Sequence, residues 1–120
     1  MTGKRQRAEA RGRSAERLAA WSYRLQGFRL LAERYQTPLG ELDLVMRRGA
    51  LLVFIEVKAR RILDDALHAL HPRQRERLIG AAEVFLRDHP VHRSCSMRFD
   101  LVGMQPWRLP HRVSDAWRVE

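Results

Sequence analysis

The sequence contains little of what stabilises small secreted proteins and nothing that resembles a membrane span. Its only cysteine is Cys95, so no disulfide can form within the chain, and a reducing compartment is compatible with it. No apolar run approaches the roughly 18 residues that a transmembrane helix needs. Residues 1–13 are basic but have no apolar segment of the kind found in secretory signals. These absences predict a cytoplasmic protein without a membrane partner.

Several catalytic and binding motifs are also missing. The sequence has no glycine-rich phosphate loop, no internal repeat and no low-complexity tract. Its five histidines and one cysteine do not have the spacing of zinc ligands, and no serine, histidine and aspartate form a recognisable triad. Nucleotide hydrolysis, zinc binding and serine-hydrolase chemistry are therefore unsupported.

Length and charge indicate one basic domain. A chain of 120 residues with 45% hydrophobic content can form one core but not two. We interpret residues 1–11 as a flexible basic arm and residues 12–120 as a single domain, either a monomer or a small homodimer. The net charge of +9, from 23 basic and 14 acidic residues, favours polyanions and nucleic acid above all. Arginine-rich coding bias, or a ribosome-associated or membrane-surface protein, would give the same composition.

Apolar periodicity predicts an α/β domain with a mixed central sheet flanked by helices. Leu18, Trp21 and Leu25 recur at helical spacing, which predicts a helix over residues 14–26 with these side chains buried and Gly27 at its end. Tryptophans 107 and 117 are expected to pack in the core or at its edge. Strands are predicted over residues 28–34, 40–46, 51–58 and 97–102, and a second long helix is predicted from Pro72 with the apolar stripe Leu78, Ile79, Ala81, Ala82, Phe85 and Leu86.

Two of these strands are predicted to place four charged side chains on one face of a hairpin. Residues 40–46 alternate with a period of two, and residues 51–58 form an apolar run that becomes charged only at its end. We expect residues 47–50 to connect them, with Met46 opposite Leu51. The side chains that would share this face are Glu41, Asp43, Glu56 and Lys58.

This pattern of carboxylates beside an ammonium is typical of a site for a hard divalent cation. Close carboxylates repel each other unless a proton or a cation intervenes, and oxygen ligands suit Mg²⁺ or Mn²⁺ better than zinc. Such a cation supports phosphodiester hydrolysis, in which Lys58 would supply additional positive charge and Glu41 a further ligand. An ordinary ion pair at an exposed strand end is the alternative interpretation. Asp100 is expected to pair near Arg98 and not to bind metal.

These motifs also resemble those of the YraN-like bacterial family, which has the restriction-endonuclease-like fold and is similar to archaeal Holliday-junction resolvases. The resemblance implies that Asp43 and Glu56 bind the metal and that Lys58 assists catalysis, with Glu16 as an auxiliary acid. Without the resemblance, Glu16 is an ordinary solvated helix residue. The likeness covers most of the chain through residues 12–16, 27–31, 40–44, 54–58, 81–82, 85–86 and 98–102, and the chain departs from the family at Gln74 and at residues 64–67.

The flanking arginines are candidate contacts to nucleic acid. Arg60 and Arg61 follow Lys58, and Arg73 and Arg75 lie at the start of the second long helix, where each pair is placed to bind phosphates or simply to be solvated. We therefore predict a Mg²⁺- or Mn²⁺-dependent endonuclease-like protein that acts on DNA, including branched or flapped DNA. The alternatives are a noncatalytic nucleic-acid-binding module with a relic acidic site, and a structural adaptor that does not bind DNA.

Overall fold

A computed structural model describes residues 3–118, without the side chains of residues 4–11. No helix in this part of the chain combines the length and the apolar character needed to cross a membrane. The elements in chain order are α1 (Lys4–Arg24), β1 (Arg29–Thr37), β2 (Gly40–Arg48), β3 (Leu51–Ala59), α2 (Leu63–Leu67), α3 (Pro72–Asp88), a 3₁₀ turn (Pro90–His92), β4 (Ser96–Met104) and β5 (His111–Trp117).

The five strands form one mixed sheet in the order β1-β2-β3-β4-β5. All neighbouring strands are antiparallel except β3 and β4, which are parallel. The α2 and α3 helices connect this parallel pair, as a parallel connection requires. The predicted mixed α/β class is confirmed. The carboxyl ends of β3 and β4 and the start of β2 lie at the same end of the sheet, which we call the site end.

Both faces of the sheet are covered by helices, and each face has its own core. The α1 helix packs on one face and α3 on the other. The core on the α1 face is formed by Ala15, Ala19, Ala20, Tyr23, Phe28, Leu44, Met46, Val53, Ile55, Val102 and Met104. The core on the α3 face is formed by Leu42, Val45, Leu52, Phe54, Leu70, Leu78, Ala81, Ala82, Phe85, Phe99, Leu101 and Trp117.

The predicted buried stripe of the first helix was wrong. Leu18, Trp21 and Leu25 are each more than half exposed. The face that packs on the sheet is instead made of Ala15, Ala19, Ala20 and Tyr23. Small alanine side chains allow the helix backbone to approach the strands closely, so the bulky residues at helical spacing are left on the solvent side.

The element boundaries differ from prediction mainly at the two ends of the chain. The α1 helix begins at Lys4 rather than near Ser14, and β5 was not predicted at all. Flexibility of residues 1–11 stays a prediction, and residues 1 and 2 lie outside the described part of the chain. Two boundary signals were confirmed, because Gly27 follows α1 with a φ of 89° and Pro72 is the first residue of α3.

Candidate functional site

The hairpin that carries the candidate site has a tighter turn than predicted. Met46 lies opposite Val53, not Leu51, and Arg48 lies opposite Leu51. Only Gly49 and Ala50 remain in the turn, where Gly49 has the positive φ of 57° that a two-residue hairpin loop requires. Because the register moved by two residues along β3, the alternation of its side chains between the two faces was unaffected.

The β2 strand changes direction at Asp43. Leu44 belongs to the core on the α1 face, whereas Leu42 belongs to the core on the α3 face, although regular alternation would put both on one side. Regular pairing with β3 ends at Leu44, opposite Ile55. Beyond this point the Asp43 carboxylate turns towards β3, where Oδ2 accepts a hydrogen bond of 2.8 Å from the backbone N–H of Val57. A side chain thus replaces a ladder hydrogen bond between the strands.

Arg34 lies across from Asp43 on β1 and shares this irregularity. The pairs on either side are Glu33 with Leu44 and Tyr35 with Leu42, and Arg34 between them has a φ of 50°. This left-handed conformation is uncommon for a residue with a long side chain.

Glu56 is the buried member of the site, with only 6% of its surface exposed. Its pKa is raised from the usual 4.5 to about 10, first by burial and then by the hydrogen bond and negative charge of Asp43. Lys58 opposes this shift, and its Nζ lies 3.7 Å from Glu56 Oε1. Without a cation, Glu56 therefore retains a proton at neutral pH, as expected for two carboxyl groups in contact.

Glu16 joins the same charged cluster from α1. Its Oε2 accepts a hydrogen bond of 3.0 Å from Arg34 Nε. The pKa of Glu16 is raised because burial, the largest cause, and the charges of Asp43 and Glu41 outweigh the opposing effect of Arg34. Glu16 is thus close enough to Asp43 to feel its charge, and Arg34 links it to the kinked part of β1.

Glu41 does not face Glu56, as the predicted register required. It pairs with Gln36 on β1, whose side-chain amide donates a hydrogen bond to the Glu41 carboxylate. Its side chain is exposed, in contrast to that of Glu56. The pair in direct contact is therefore Asp43 with Glu56, and a role for Glu41 in binding metal stays a prediction.

The candidate phosphate-binding arginines lie around the site end of the sheet. Arg60 and Arg61 are exposed immediately beyond β3. Arg73 is exposed on the first turn of α3, and Arg75 is half-buried with an Nε that has no hydrogen-bond partner among the described residues. This part of α3 is near the start of β2, because the Cβ of Arg77 lies 3.9 Å from the position that a Cβ would occupy at Gly40.

Asp100 belongs to a separate, structural network. It is fully buried and accepts hydrogen bonds from Arg98 at 2.8 and 2.9 Å. Its carboxylate also accepts a 2.6 Å bond from the Tyr23 hydroxyl and a 2.9 Å bond from the backbone N–H of Asp115. The expected pairing with Arg98 is confirmed. The network ties α1 to β4 and β5.

Two residues of the cluster were not identified as candidates from the sequence. Arg34 faces Asp43 only because its backbone adopts a positive φ, and a strand pattern carries no signal for that. Gln36 contacts Glu41 through the pairing of β1 with β2, and β1 was expected to end at residue 34.

The Asp43–Glu56 pair has the chemistry of a site for a hard cation. Among residues whose side chains are described, no group of three or more histidine, cysteine, aspartate or glutamate residues is arranged to hold a metal ion. Mg²⁺, however, is commonly held by one or two carboxylates, with water and substrate phosphate as the remaining ligands. A cation would also replace the proton that Glu56 retains. The residues present therefore fit Mg²⁺ or Mn²⁺.

Comparison with known sequences covers every candidate residue. The model of the Uncharacterised protein family UPF0102 matches residues 15–104. UPF0102 protein amb4503 of Paramagnetospirillum magneticum is 47% identical over 119 residues, which cover 96% of this chain and 92% of the relative. A UPF0102 protein of Nitrobacter winogradskyi is 48% identical over 106 residues, covering 88% of this chain and 90% of the relative. UPF0102 protein mlr4633 of Mesorhizobium japonicum is 45% identical over 113 residues, covering 94% and 90%.

Proposed function

Because the chain belongs to the Uncharacterised protein family UPF0102, whose description states no activity, we propose a function from the chain's own residues. The proposal is a Mg²⁺- or Mn²⁺-dependent endonuclease that hydrolyses phosphodiester bonds in DNA, with branched or flapped DNA as the preferred substrate. The observation that carries it is the contact between buried Glu56 and Asp43 beside the Lys58 ammonium. A buried carboxyl with a strongly raised pKa next to a second carboxyl is costly to keep, which is typical of functional sites.

Each residue of the cluster has a role in this proposal. Asp43 and Glu56 would hold the cation, which when bound supplies a Lewis acid and lowers the pKa of a water molecule. The Lys58 ammonium, 16% exposed, would stabilise the negative charge that develops on the phosphate. Glu16, as a carboxyl group with a raised pKa, is suited to hold and release a proton.

The remaining charges support nucleic acid as the substrate. Arg60, Arg61 and Arg73 are exposed around the site end, where they would contact phosphates on either side of the one that reacts. The net charge of +9 adds a general attraction for DNA. The topology supports a restriction-endonuclease-like fold, since a hairpin carries Asp43 and the Glu56-Val57-Lys58 motif beside a parallel strand.

The test is DNA cleavage by the purified protein with Mg²⁺ or Mn²⁺. Linear, single-stranded, flapped and four-way-junction DNA are incubated with the wild type and with Asp43→Ala and Lys58→Ala. Because both residues would act on the reacting phosphate, each change is expected to lower the rate at least about 100-fold. Asp64→Ala is the matched control, because Asp64 is a highly exposed aspartate on α2. Cleavage that persists in chelator, or in both site variants, would contradict the proposal.

A noncatalytic nucleic-acid-binding module is the second candidate. It is favoured by the lack of a preformed group of three metal ligands among the side chains that the structure describes. This candidate predicts salt-sensitive DNA binding without cleavage, and no increase in melting temperature when Mg²⁺ or Mn²⁺ is added. A structural adaptor, in contrast, would not bind DNA at all.

A further inference from the structure

The loop that joins β4 to β5 carries an aromatic side chain in full contact with solvent. Residues 105–110 form this loop, and Trp107 has a relative exposure of 102%. Burial in the core or at its edge was predicted for both C-terminal tryptophans, and this was wrong for Trp107 but confirmed for Trp117. Indole is among the largest apolar side chains and normally gains stability from burial. Its complete exposure therefore suggests a contact outside the folded chain.

This loop lies at the site end of the sheet. The last paired residues of β3 and β4 are Lys58 with Gly103 and Ala59 with Met104, so the loop begins where Lys58 is presented. The backbone N–H of Arg60 donates a 3.0 Å hydrogen bond to the carbonyl of Met104. The loop carrying Trp107 is thereby joined to the arginine segment that follows Lys58.

A second hydrogen bond fastens the loop on its other side. The side-chain amide of Gln105 donates a 3.3 Å bond to the carbonyl of Arg61. Within the loop, the N–H of Arg108 donates a 3.3 Å bond to the carbonyl of Gln105, which closes a turn around Trp107. Trp107 itself has a φ of 62°, a conformation that bulky residues rarely adopt. The indole is thus held on a defined turn and not on a free tail.

The charges around this indole are positive and exposed. Arg60 and Arg61 lie on the attached segment, and Arg108 follows Trp107 directly. Aromatic rings among arginines are the combination with which proteins bind single-stranded nucleic acid, because bases stack on the ring while guanidinium groups contact phosphates. In a paired duplex both faces of each base are already stacked on their neighbours. Only an unpaired base offers a free face to an exposed ring.

We propose that Trp107 is a stacking site for an unpaired base of a DNA strand whose backbone follows Arg60 and Arg61 towards Lys58. This inference rests on the proposed nuclease function and deepens it, because it selects DNA with unpaired bases, such as a flap or an open junction, over continuous duplex. Trp107 is a specificity residue in this arrangement, not a catalytic one. The strand and the cleaved bond would lie on the same side of the protein.

The test measures binding in chelator, so that cleavage does not enter. Fluorescence anisotropy compares labelled oligo(dT) and a flapped DNA with a blunt duplex of equal length at constant salt. Trp107→Ala is expected to weaken binding of oligo(dT) and of the flap about tenfold, and binding of duplex less than about twofold. Trp107→Phe keeps a ring that stacks and is expected to retain most of the affinity. Trp21→Ala is the matched control, because Trp21 is also exposed but lies on α1.

A second measurement reports on the indole itself. In a Trp21→Phe background the remaining tryptophans are Trp107 and the buried Trp117, and oligo(dT) is expected to quench the emission of Trp107. Equal weakening of duplex and oligo(dT) by Trp107→Ala, or no weakening of either, would overturn the stacking site. Unchanged melting temperature of Trp107→Ala excludes misfolding as the cause.

The nuclease proposal and the stacking site can fail separately. Cleavage lost in Lys58→Ala but unaffected by Trp107→Ala on flapped DNA would refute stacking alone. A wild type that never cleaves but binds oligo(dT) through Trp107 would refute the nuclease alone. A wild type that binds no DNA would refute both.

Discussion

Glu56 lies where a strand leaves the core, yet its carboxyl group is almost as buried as the apolar side chains before it. Lys58 neutralises it only in part at 3.7 Å, and Asp43 adds a second negative charge. Removing one charge from this group should therefore affect stability more than the same change at the surface. The raised pKa of Glu56 gives this effect a defined dependence on pH.

Replacing Glu56 by Gln is expected to stabilise the metal-free protein at neutral and alkaline pH. The folded state keeps the Glu56 proton, whereas the unfolded chain loses it as the pH rises above the usual pKa of 4.5. The stability contributed by Glu56 is therefore complete in acid and is lost as the pH rises towards about 10. Since Gln does not titrate, the melting temperature of the variant relative to the wild type should increase between roughly pH 5 and pH 9.

The control for this experiment is Glu83→Gln, because Glu83 is exposed on α3. Its melting temperature should follow that of the wild type across the same pH range. A constant difference between Glu56→Gln and the wild type at all pH values would contradict the raised pKa of Glu56.

Sequence reasoning identified the central residues of the candidate site but not the geometry of their contact. The alternation of apolar and charged residues in β3 was enough to single out Glu56 and Lys58. The kink that turns Asp43 towards Val57 was not visible, because it depends on the positive φ of Arg34 across the strand pair. The association of Glu16 with Asp43 was implied only by family resemblance, because local spacing says nothing about which helix covers which strand.

At the scale of elements, the α2 helix packs directly on the sheet beside the site. Gly103 of β4 lies opposite Lys58, and it leaves no room for a side chain. A Cβ added at Gly103 would lie 2.9 Å from Leu63 Cδ1 and 3.1 Å from Leu67 Cδ2. The glycine therefore lets α2 cover the end of β4 closely.

Gly103→Ala is expected to destabilise the protein by about 1–3 kcal/mol, since α2 must move to accept the methyl group. Denaturant unfolding measures this free energy. Gly12→Ala is the matched control, because nothing lies within 4 Å of the added Cβ in α1 and alanine favours helix, so the expected change is a gain of up to about 1 kcal/mol. Equal stability of the Gly103→Ala variant and the wild type would show that α2 is loosely packed.

The secondary structure was predictable where large side chains repeat and less so where small ones do. The α3 helix was predicted well, because Leu78 and Phe85 form its buried face. The α1 helix was predicted with the wrong face, because its alanines carry little periodic signal beside Trp21. The β5 strand was missed, since its exposed and half-buried residues have no clear alternation.

For the molecule as a whole, charge determines how strongly any DNA is held. The net charge of +9 predicts affinity that falls steeply with salt, because binding releases counterions from the phosphates. If arginines at the site end contact phosphates, removing them should change this salt dependence in a countable way.

The double variant Arg60→Ala with Arg61→Ala is expected to reduce the slope of log affinity against log salt by about two, roughly one for each lost phosphate contact. The loss should be similar for all DNA sequences, because phosphates carry no sequence information. Binding titrations between low and physiological salt measure the slope. The control is Arg87→Ala with Arg93→Ala, two exposed arginines away from the site end. An equal change of slope in both double variants would mean that only total charge matters.

The order of the strands along the chain also bears on how the protein folds. The β2–β3 hairpin joins neighbouring segments, whereas β4 reaches β3 only after α2 and α3 have been crossed. Contacts between nearby segments form faster than contacts that close a long loop, so the hairpin is expected to form before the parallel pair. Asp43 and Glu56 would then meet early, while much of the sheet is still open to water, and their repulsion would become costly only when the later elements exclude solvent. Acidic conditions would ease that late step, because protonation removes the repulsion before the site is buried.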